Sequence, residues 1–317
     1  MSALPPGESH LTGALRAIRA ANSRAAGRTL AAMPALEPAF IAAGQWLARR
    51  SRVLGTLYWF AQEDLLRRLQ RSGRRFRTLR VAGIDLFVDI DSGSGRMHYF
   101  YDEPYEPELS DMIRRLLRPG DVFLDVGANI GFFSVFAGRL VGASGHVVAF
   151  EPHPDALERC RAAIAVNDLT AVVEVVDAAL AAESGTVRLF LSSDSVLSTT
   201  DPERSPARDH FTFDRAIEVR RITLDEWLAQ RQDLLPRIRA IKIDVEGTEL
   251  DVLEGMRNTM ASCGAAAILC ETEAGSAADR FLRDAGYQAS YLDARLGVFG
   301  NYLYQRPDES GPVPATI

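Results

Sequence analysis

The sequence predicts an α/β protein, a doubly wound and mostly parallel sheet with helices on both faces, preceded by a helical N-terminal extension. Three observations predict it. From Asp121 onward, short apolar runs alternate with helical patterns, the grammar of a parallel sheet. The first of those runs closes on a glycine turn, Asp125-Val126-Gly127-Ala128-Asn129-Ile130-Gly131, where strand passes into helix. The next run ends in an acid, Glu151, twenty residues beyond Gly131.

The elements follow in order. Residues 1–10 hold Pro5, Pro6 and Gly7 and are expected to lie loose. From Leu11 to about Arg75, alanine, leucine and arginine dominate and strand signals are absent, so the stretch reads as helix. Residues 53–69 space their apolar side chains three and four apart and gather arginine toward the end, as a helix C-terminus favours. Residues 78–90 alternate around a Gly-Ile turn and read as a β-hairpin. An aromatic and acidic loop is expected over 98–109, then a helix over 110–117 with Ser110 as N-cap, stopped by Arg118-Pro119-Gly120. Strands are expected at 122–126, 146–151 and 172–180, with helices at 130–140 and from Pro154 to about Asn167 between them. Residues 186–191 read as a hairpin partner or continuation of the third strand, and 192–219 as a long polar surface loop. A helix begins at 222–228. Strands at 240–247 and 265–271 alternate with helices at 248–260 and 277–285, and terminal strands lie near 287–292 and 301–304. This divides the chain into a basic helical extension (1–77), a main domain (78–305) with a ligand-binding core at 118–275, and a tail (306–317).

Composition narrows the class. The net charge of −6 argues against a general nucleic-acid binder, which carries a basic domain. That total conceals two unlike parts: residues 1–80 hold 14 arginines against four acids, and the remainder is strongly acidic. The arginine face of the N-terminal helices allows peripheral membrane contact, a partner or an anionic substrate; a merely solvated face is the simpler reading. Cys160, Cys263 and Cys270 are scattered without a CxxC spacing, which excludes a zinc ribbon or disulfide framework and suits a reducing, cytoplasmic setting. No run of about 18 apolar residues is present, and the first residues lack the pattern of a secretory leader. Of the 36 basic residues, 35 are arginine, so the lone lysine, Lys242, invites attention.

In the glycine turn, Gly127 permits the sharp bend and Gly131 a close approach of the helix backbone to strand or ligand. Glu151 is suited to accept hydrogen bonds from both hydroxyls of a ribose. A dinucleotide site expects a second glycine where this chain has Asn129, and Asp125 would repel a pyrophosphate. The charge logic suits a cofactor with an ammonium, a ribose and no phosphate, as in S-adenosyl-L-methionine. The segments DVFLDVGANIGFFS, AFEPHP and IKIDVEGTE, with YEPEL before them, resemble the FkbM-type family of S-adenosylmethionine-dependent methyltransferases over about residues 80–275. The resemblance implies a Rossmann-like class I methyltransferase fold. It implies that Asp125, Gly127, Asn129 and Gly131 line the methionine part and Glu151 the ribose. By the same likeness Asp177 and Ala178 meet the adenine, and Tyr101, Tyr105 and Glu106 lie near the cofactor entrance, Glu106 toward the ammonium.

The run Ala240–Gly247 is the second motif. With period two, Lys242, Asp244 and Glu246 share one strand face opposite Ile241, Ile243 and Val245. Charges on a central strand must pair, bind something or sit in a cleft. Either Lys242 and Asp244 simply anchor the strand, or Asp244 or Glu246 faces an acceptor as base or orienting group with Lys242 tuning them. A divalent metal on Asp244 with Glu271 or Glu273 is a further reading, though no spacing marks a dedicated site. His153 is expected to fix its turn more readily than to catalyse, His210 to sit in a lid or a plain loop, and Trp227 to be core. The expected function is O-methylation of a hydroxyl on a sugar, glycolipid or natural-product acceptor. N-methylation, an NAD-linked oxidoreductase and a non-catalytic cofactor-binding protein are the rivals. The oligomeric state stays open.

Overall fold

The computed structural model describes residues 36–71, 76–90, 92–101, 105–192, 197–263, 266–292 and 299–307. The loose start expected over 1–10, the helix expected from Leu11 to residue 35, the side chain of Tyr101 and the tail beyond residue 307 lie outside the described residues. Of the described residues, 36–82 and 87–105 make one compact unit, and 83–86 with 106–307 make the other.

The first unit is built on two helices, α1 (Glu37–Arg50) and α2 (Arg52–Arg71), separated by Ser51 alone. They bury Ile41, Tyr58, Leu65, Leu66 and Leu69, and the Tyr58 hydroxyl donates to the carbonyl of Phe100 at 2.9 Å. The expected hairpin is present as β1 (Phe76–Val81) and β2 (Ile84–Asp89), a two-stranded sheet. The stretch read as an aromatic loop opens instead as helix α3 (Gly93–Tyr101), started by Ser92, whose hydroxyl accepts from Gly95 N at 3.1 Å. The serine cap is the signal that the loop reading passed over.

The second unit opens with α4 (Pro107–Leu116). It begins earlier than expected, because Pro107 takes the first turn and Glu106 stands at the N-cap; Ser110 is buried within the helix. Strand β3 (Val122–Val126), helix α5 (Phe132–Val141), strand β4 (His146–Phe150), helix α6 (Pro154–Val166) and strand β5 (Val173–Val176) follow the expected alternation. The third strand is shorter than the apolar run that predicts it. The chain leaves the main sheet at Asp177, and β6 (Ala179–Leu180) joins a second sheet.

That second sheet runs β6-β9-β7-β8, with β7 (Gly185–Leu191), β8 (Ser198–Thr199) and β9 (Arg215–Ile222). The expected surface loop 192–219 therefore contains a short strand and most of a long one. Strand β9 is arginine-rich and half exposed, so it lacks the apolar content by which a buried strand is recognised. Helix α7 (Leu224–Ala229), strand β10 (Ile238–Ile243), helices α8 (Glu249–Glu254) and α9 (Arg257–Ser262), strand β11 (Ala267–Glu273), helix α10 (Ala277–Asp284), and strands β12 (Gln288–Tyr291) and β13 (Phe299–Gln305) complete the chain. The single helix expected at 248–260 is broken at Gly255, where any Cβ would collide with the carbonyl of Ala181.

The main sheet has the order β12-β13-β11-β10-β3-β4-β5, parallel except for β13. One face buries Val122, Leu124, Val126, Ile241 and Ile243 against Trp227, Leu253 and Met256. Helices α4, α5 and α6 cover the other. The order turns back at the β3/β10 boundary, so the carboxyl ends of those strands diverge and leave a crevice, where open α/β sheets place ligands.

Candidate active site

The crevice holds a cavity with about 670 Å³ of empty space, its open mouth included. Gly127 and Asn129 from the glycine turn, Glu151 from the end of β4, Ala178 and Leu180, and Asp244 and Glu246 after β10 contribute to its wall. All belong to the second unit.

Gly127 has φ +76, and a Cβ there would overlap the carbonyl oxygen of Asp244. Only glycine lets the two loops close on each other here. The turn is held by Gly127 N and Ala128 N donating to the carbonyl of Phe150 at 3.0 and 3.1 Å, and by Asp244 N donating to that of Val126 at 3.1 Å. Gly131 serves the helix rather than the cavity: its φ is +87, and an added Cβ would lie 2.9 Å from the sulfur of Cys160.

Asn129 is left-handed at φ +50, an uncommon conformation for a residue with a side chain. Its N–H donates to Glu151 Oε2 and the N–H of His153 to Oε1, both at 2.7 Å. Glu151 is buried, and burial pushes its carboxyl up to about 7 although those two backbone bonds pull the other way. Each oxygen retains acceptor capacity beyond that one bond, and Glu151 lines the cavity. The Asn129 side-chain oxygen is buried without a hydrogen-bond partner on the cavity wall. His153 caps α6, its Nδ1 accepting from Asp155 N at 3.1 Å. That is the turn-fixing role.

Asp125 does not reach the cavity. It is fully buried on the α5 face, where the Ser134 hydroxyl donates to it at 2.6 Å and the Lys242 ammonium lies 3.7 Å away. Burial raises its carboxyl pKa, opposed by Lys242 and Ser134. Lys242 is equally enclosed, 3.1 Å from Asp244 Oδ2 and 3.4 Å from the carbonyl of Gly127, with the Phe133 ring beneath it at 5.4 Å. Burial alone would discharge it, but Asp244, Asp125 and Glu106 outweigh that and hold it a cation. Lys242 therefore clasps the glycine turn to the loop after β10.

The three charges of the second motif do not share a strand face. Strand β10 ends at Ile243, and Asp244–Gly247 is a tight loop in which Glu246 has φ +58 and Gly247 φ +100. The loop must bend because Gly247 packs against the backbone of Arg204, where a Cβ would clash. The Thr199 hydroxyl donates to the Glu246 carbonyl at 2.8 Å and pins the bend. Asp244 and Glu246 reach the same cavity through this loop instead of through a pleat.

Glu106, at φ +36, accepts from the Asn301 side chain at 3.0 Å and lies outside the cavity wall, close enough to Lys242 and Glu271 to act on both electrostatically. Glu271 joins that acidic group. Burial first, then Asp244, Glu106 and Glu246, push its carboxyl well above the usual range, and it hydrogen-bonds Asp244. Glu273 is exposed beside a different cavity, lined also by Arg204, Arg208 and Ser276. Among the described residues no three His, Cys, Asp or Glu side chains are arranged to hold a metal ion.

Asp177 is displaced from its expected place. It is exposed and lines a separate cavity with Arg161, Arg220 and Arg231, because the chain pivots there between sheets; its neighbour Ala178 does line the crevice. His210 is exposed, Tyr105 stacks on His98 in the first unit, and Trp227 is core, edge-on to Phe150. Sequence reasoning missed Thr199, Thr200, Leu180, Leu189 and Thr248 on the cavity wall. The Ser-Thr-Thr run at 198–200, following apolar residues, was the available signal.

A hexuronic acid methyltransferase, AglP, from Haloferax volcanii is 31% identical over 157 residues, 48% of this chain and 58% of that protein. The 31-O-demethyl-FK506 methyltransferase FkbM from Streptomyces tacrolimicus is 30% identical over 165 residues, 45% of this chain and 62% of that protein. The chain thus spans less than two thirds of the length of either relative. A crystal structure of methyltransferase FkbM from Methylobacillus flagellatus KT aligns with TM-score 0.40 and 15% identity, covering 65% of this chain and 51% of that one. The family model described as the methyltransferase FkbM domain matches residues 125–289, just over half of the chain, from the buried Asp125 of the glycine turn to β12, and the chain belongs to that family.

Proposed function

We propose that this chain is an S-adenosylmethionine-dependent methyltransferase that methylates a hydroxyl on a sugar, glycolipid or natural-product acceptor. One observation carries the reading: Gly127, Asn129, Glu151, Asp244 and Glu246 line a single cavity at the divergence of β3 and β10. The residues fit the cofactor. The unpartnered Asn129 oxygen suits the methionine ammonium, the remaining lone pairs of Glu151 suit two ribose hydroxyls, and Gly127 gives the side-chain-free turn beside them. When bound, that cofactor supplies an already activated methyl group on a sulfonium.

The protein is then left to align and to move one proton. Asp244 and Glu246 sit on the cavity wall, where either can accept the proton of an acceptor hydroxyl or orient it. Lys242 acts behind them, fixing Asp244 from outside the cavity. A hydroxyl needs a base more than an amine does, and two carboxylates lean the reading toward oxygen. The relatives named for a hexuronic acid and for 31-O-demethyl-FK506 support hydroxylated acceptors.

The test is calorimetry with S-adenosylhomocysteine and NAD, followed by methyl transfer from labelled S-adenosylmethionine to a panel of uronates, glycolipids and macrolides. Binding of the homocysteine product alone, with turnover that drops about 100-fold or more in Asp244→Asn or Glu246→Gln at unchanged cofactor affinity, is the expected result. Normal turnover in both variants would remove the base role. Preference for NAD would overturn the whole reading.

A further inference from the structure

The turn between α1 and α2 presents an apolar face that nothing in the described residues covers. Trp46 is 54% exposed and Val53 67%, with Leu54 and Leu57 also exposed. Val53, Leu54 and Leu57 fall on one side of α2, since Leu57 lies four residues after Val53 and three after Leu54, the spacings that share a helix face. This is not a fraying end. Phe40 and Tyr58 pack with ring centroids 5.4 Å apart, Gly44 lies so close under Tyr58 that a Cβ would collide with the ring, and Gly55 rests against Ala48. Ser51 N donates to the Leu47 carbonyl at 3.1 Å to close α1, and Gly55 N to the Ser51 carbonyl at 2.8 Å to open α2. The exposed side chains are therefore held out by a tightly packed helical hairpin.

The charge around them has one sign. Residues 38–62 contain Arg49, Arg50 and Arg52 and no acid. The acids that bound this stretch are already engaged: Glu37 is buried with Arg77 at 2.8 Å and the Tyr99 hydroxyl at 2.8 Å, and Glu63 is paired with Arg96 at 2.6 Å. The Arg50 guanidinium lies 4.3 Å over the Trp46 ring, the arrangement of an aromatic with an apolar body beside a cation. No helix among the described residues is long and apolar enough to cross a membrane, so such a face lies on a bilayer rather than through it.

We propose that this hairpin tip docks on an anionic lipid surface, with Trp46, Val53, Leu54 and Leu57 entering the headgroup region and Arg50 meeting lipid phosphates. Charge selects this occupant. A second copy would bring its own three arginines against these. Residues 1–35 carry Arg16, Arg19, Arg24 and Arg28 against Glu8 alone, so they too are of the wrong sign to cover the tip. Tryptophan and arginine both favour the membrane–water boundary. The inference does not depend on the catalytic reading of the second unit.

The full chain is sedimented with phosphatidylcholine vesicles with and without phosphatidylglycerol, at low and high salt. Binding to the anionic vesicles alone, weakened by salt, is expected. It should fall about tenfold or more in Trp46→Ser/Leu54→Ser, and also in Arg50→Glu, but not in Val166→Ser, an exposed apolar control elsewhere. Quenching of wild-type fluorescence by brominated lipid, lost in Trp46→Phe, reads the same contact without a destabilising change. Failure to bind anionic vesicles would overturn the proposal, as would equal binding by the double variant. Self-association of the lipid-free chain that the double variant abolishes would assign the face to a second copy instead.

Discussion

Lys242 stands directly across from Asp125 in the register of β10 and β3, and its ammonium lies 3.7 Å from that carboxylate and 3.1 Å from Asp244. The three groups form one charge set that runs from the buried Asp125 and Lys242 to Asp244 at the cavity wall. Lys242 holds it together, because it also meets the Gly127 carbonyl. Removing the lysine leaves the fully buried Asp125 without its cation and takes the ion pair from Asp244 at the cavity wall. Lys242→Ala should lower unfolding free energy by about 3–5 kcal/mol. Lys242→Arg should also destabilise, since a planar fork does not fit where a compact ammonium is enclosed on all sides. Adding Asp125→Asn to Lys242→Met should recover part of the loss. Urea denaturation of the four variants beside the wild type measures each difference, and an unchanged Lys242→Arg would make the lysine incidental.

Gly127→Ala tests the closure of the two loops. The new methyl group meets the Asp244 carbonyl, and φ +76 is itself unfavourable for alanine. The loops must separate, moving Asn129 and Asp244 on the cavity wall together. Affinity for S-adenosylhomocysteine should fall about tenfold to 100-fold, from about 1–3 kcal/mol of strain. Gly131→Ala should instead lower stability with less effect on affinity, because its methyl group would meet Cys160 and not the cavity. Calorimetry and thermal melts of the two variants separate these outcomes.

The contrast between those glycines marks what a sequence discloses. The turn 125–131, Glu151 and the alternation of elements are local patterns, and each was legible. What was not legible depends on where the chain goes next. The family likeness put Asp177 at the adenine on the expectation that the third strand runs through it, but the chain changes sheets there. Glu246 looked like a strand residue because period two fits its neighbours, but a left-handed backbone ends the pleat. The acids Glu106 and Glu271, 165 positions apart in the chain, converge on Lys242 only through the fold. Strand β9 hid because a half-exposed sheet needs few apolar residues.

Thr199 joins the second sheet to the loop that bears both candidate bases. Its hydroxyl bond to the Glu246 carbonyl is part-buried, and Glu246 holds an uncommon conformation that its surroundings must enforce. Thr199→Val keeps the shape and deletes the bond to that carbonyl, along with the acceptor of Asp201 N at 3.1 Å. Stability should fall by about 1–2 kcal/mol. Turnover should fall about tenfold while cofactor affinity stays within about threefold, since Asn129 and Glu151 are untouched. Steady-state kinetics beside calorimetry would show the split. Equal losses in both would mean that the bend supports the cofactor side as well.

Glu151 predicts a pH dependence of defined sign. Its carboxyl titrates near 7 in the folded chain against 4.5 unperturbed, so between those values the folded state holds a proton that the unfolded state has lost. Stability from this group is therefore complete below pH 4.5, declines as pH rises to about 7 and is level above, a total of about 3 kcal/mol. Glu151→Gln lacks this decline, so the difference between the two proteins in urea midpoint across that range isolates it. The cofactor runs the other way. Ribose hydroxyls donate to the ionised carboxylate, so affinity for S-adenosylhomocysteine should strengthen as pH rises, roughly tenfold from one pH unit below the titration to above it. The thermal shift given by that ligand should then be larger near pH 8 than near pH 6, about the reverse of the apo trend. A ligand shift independent of pH, or one that Glu151→Gln retains in full, would place the ribose elsewhere in the crevice.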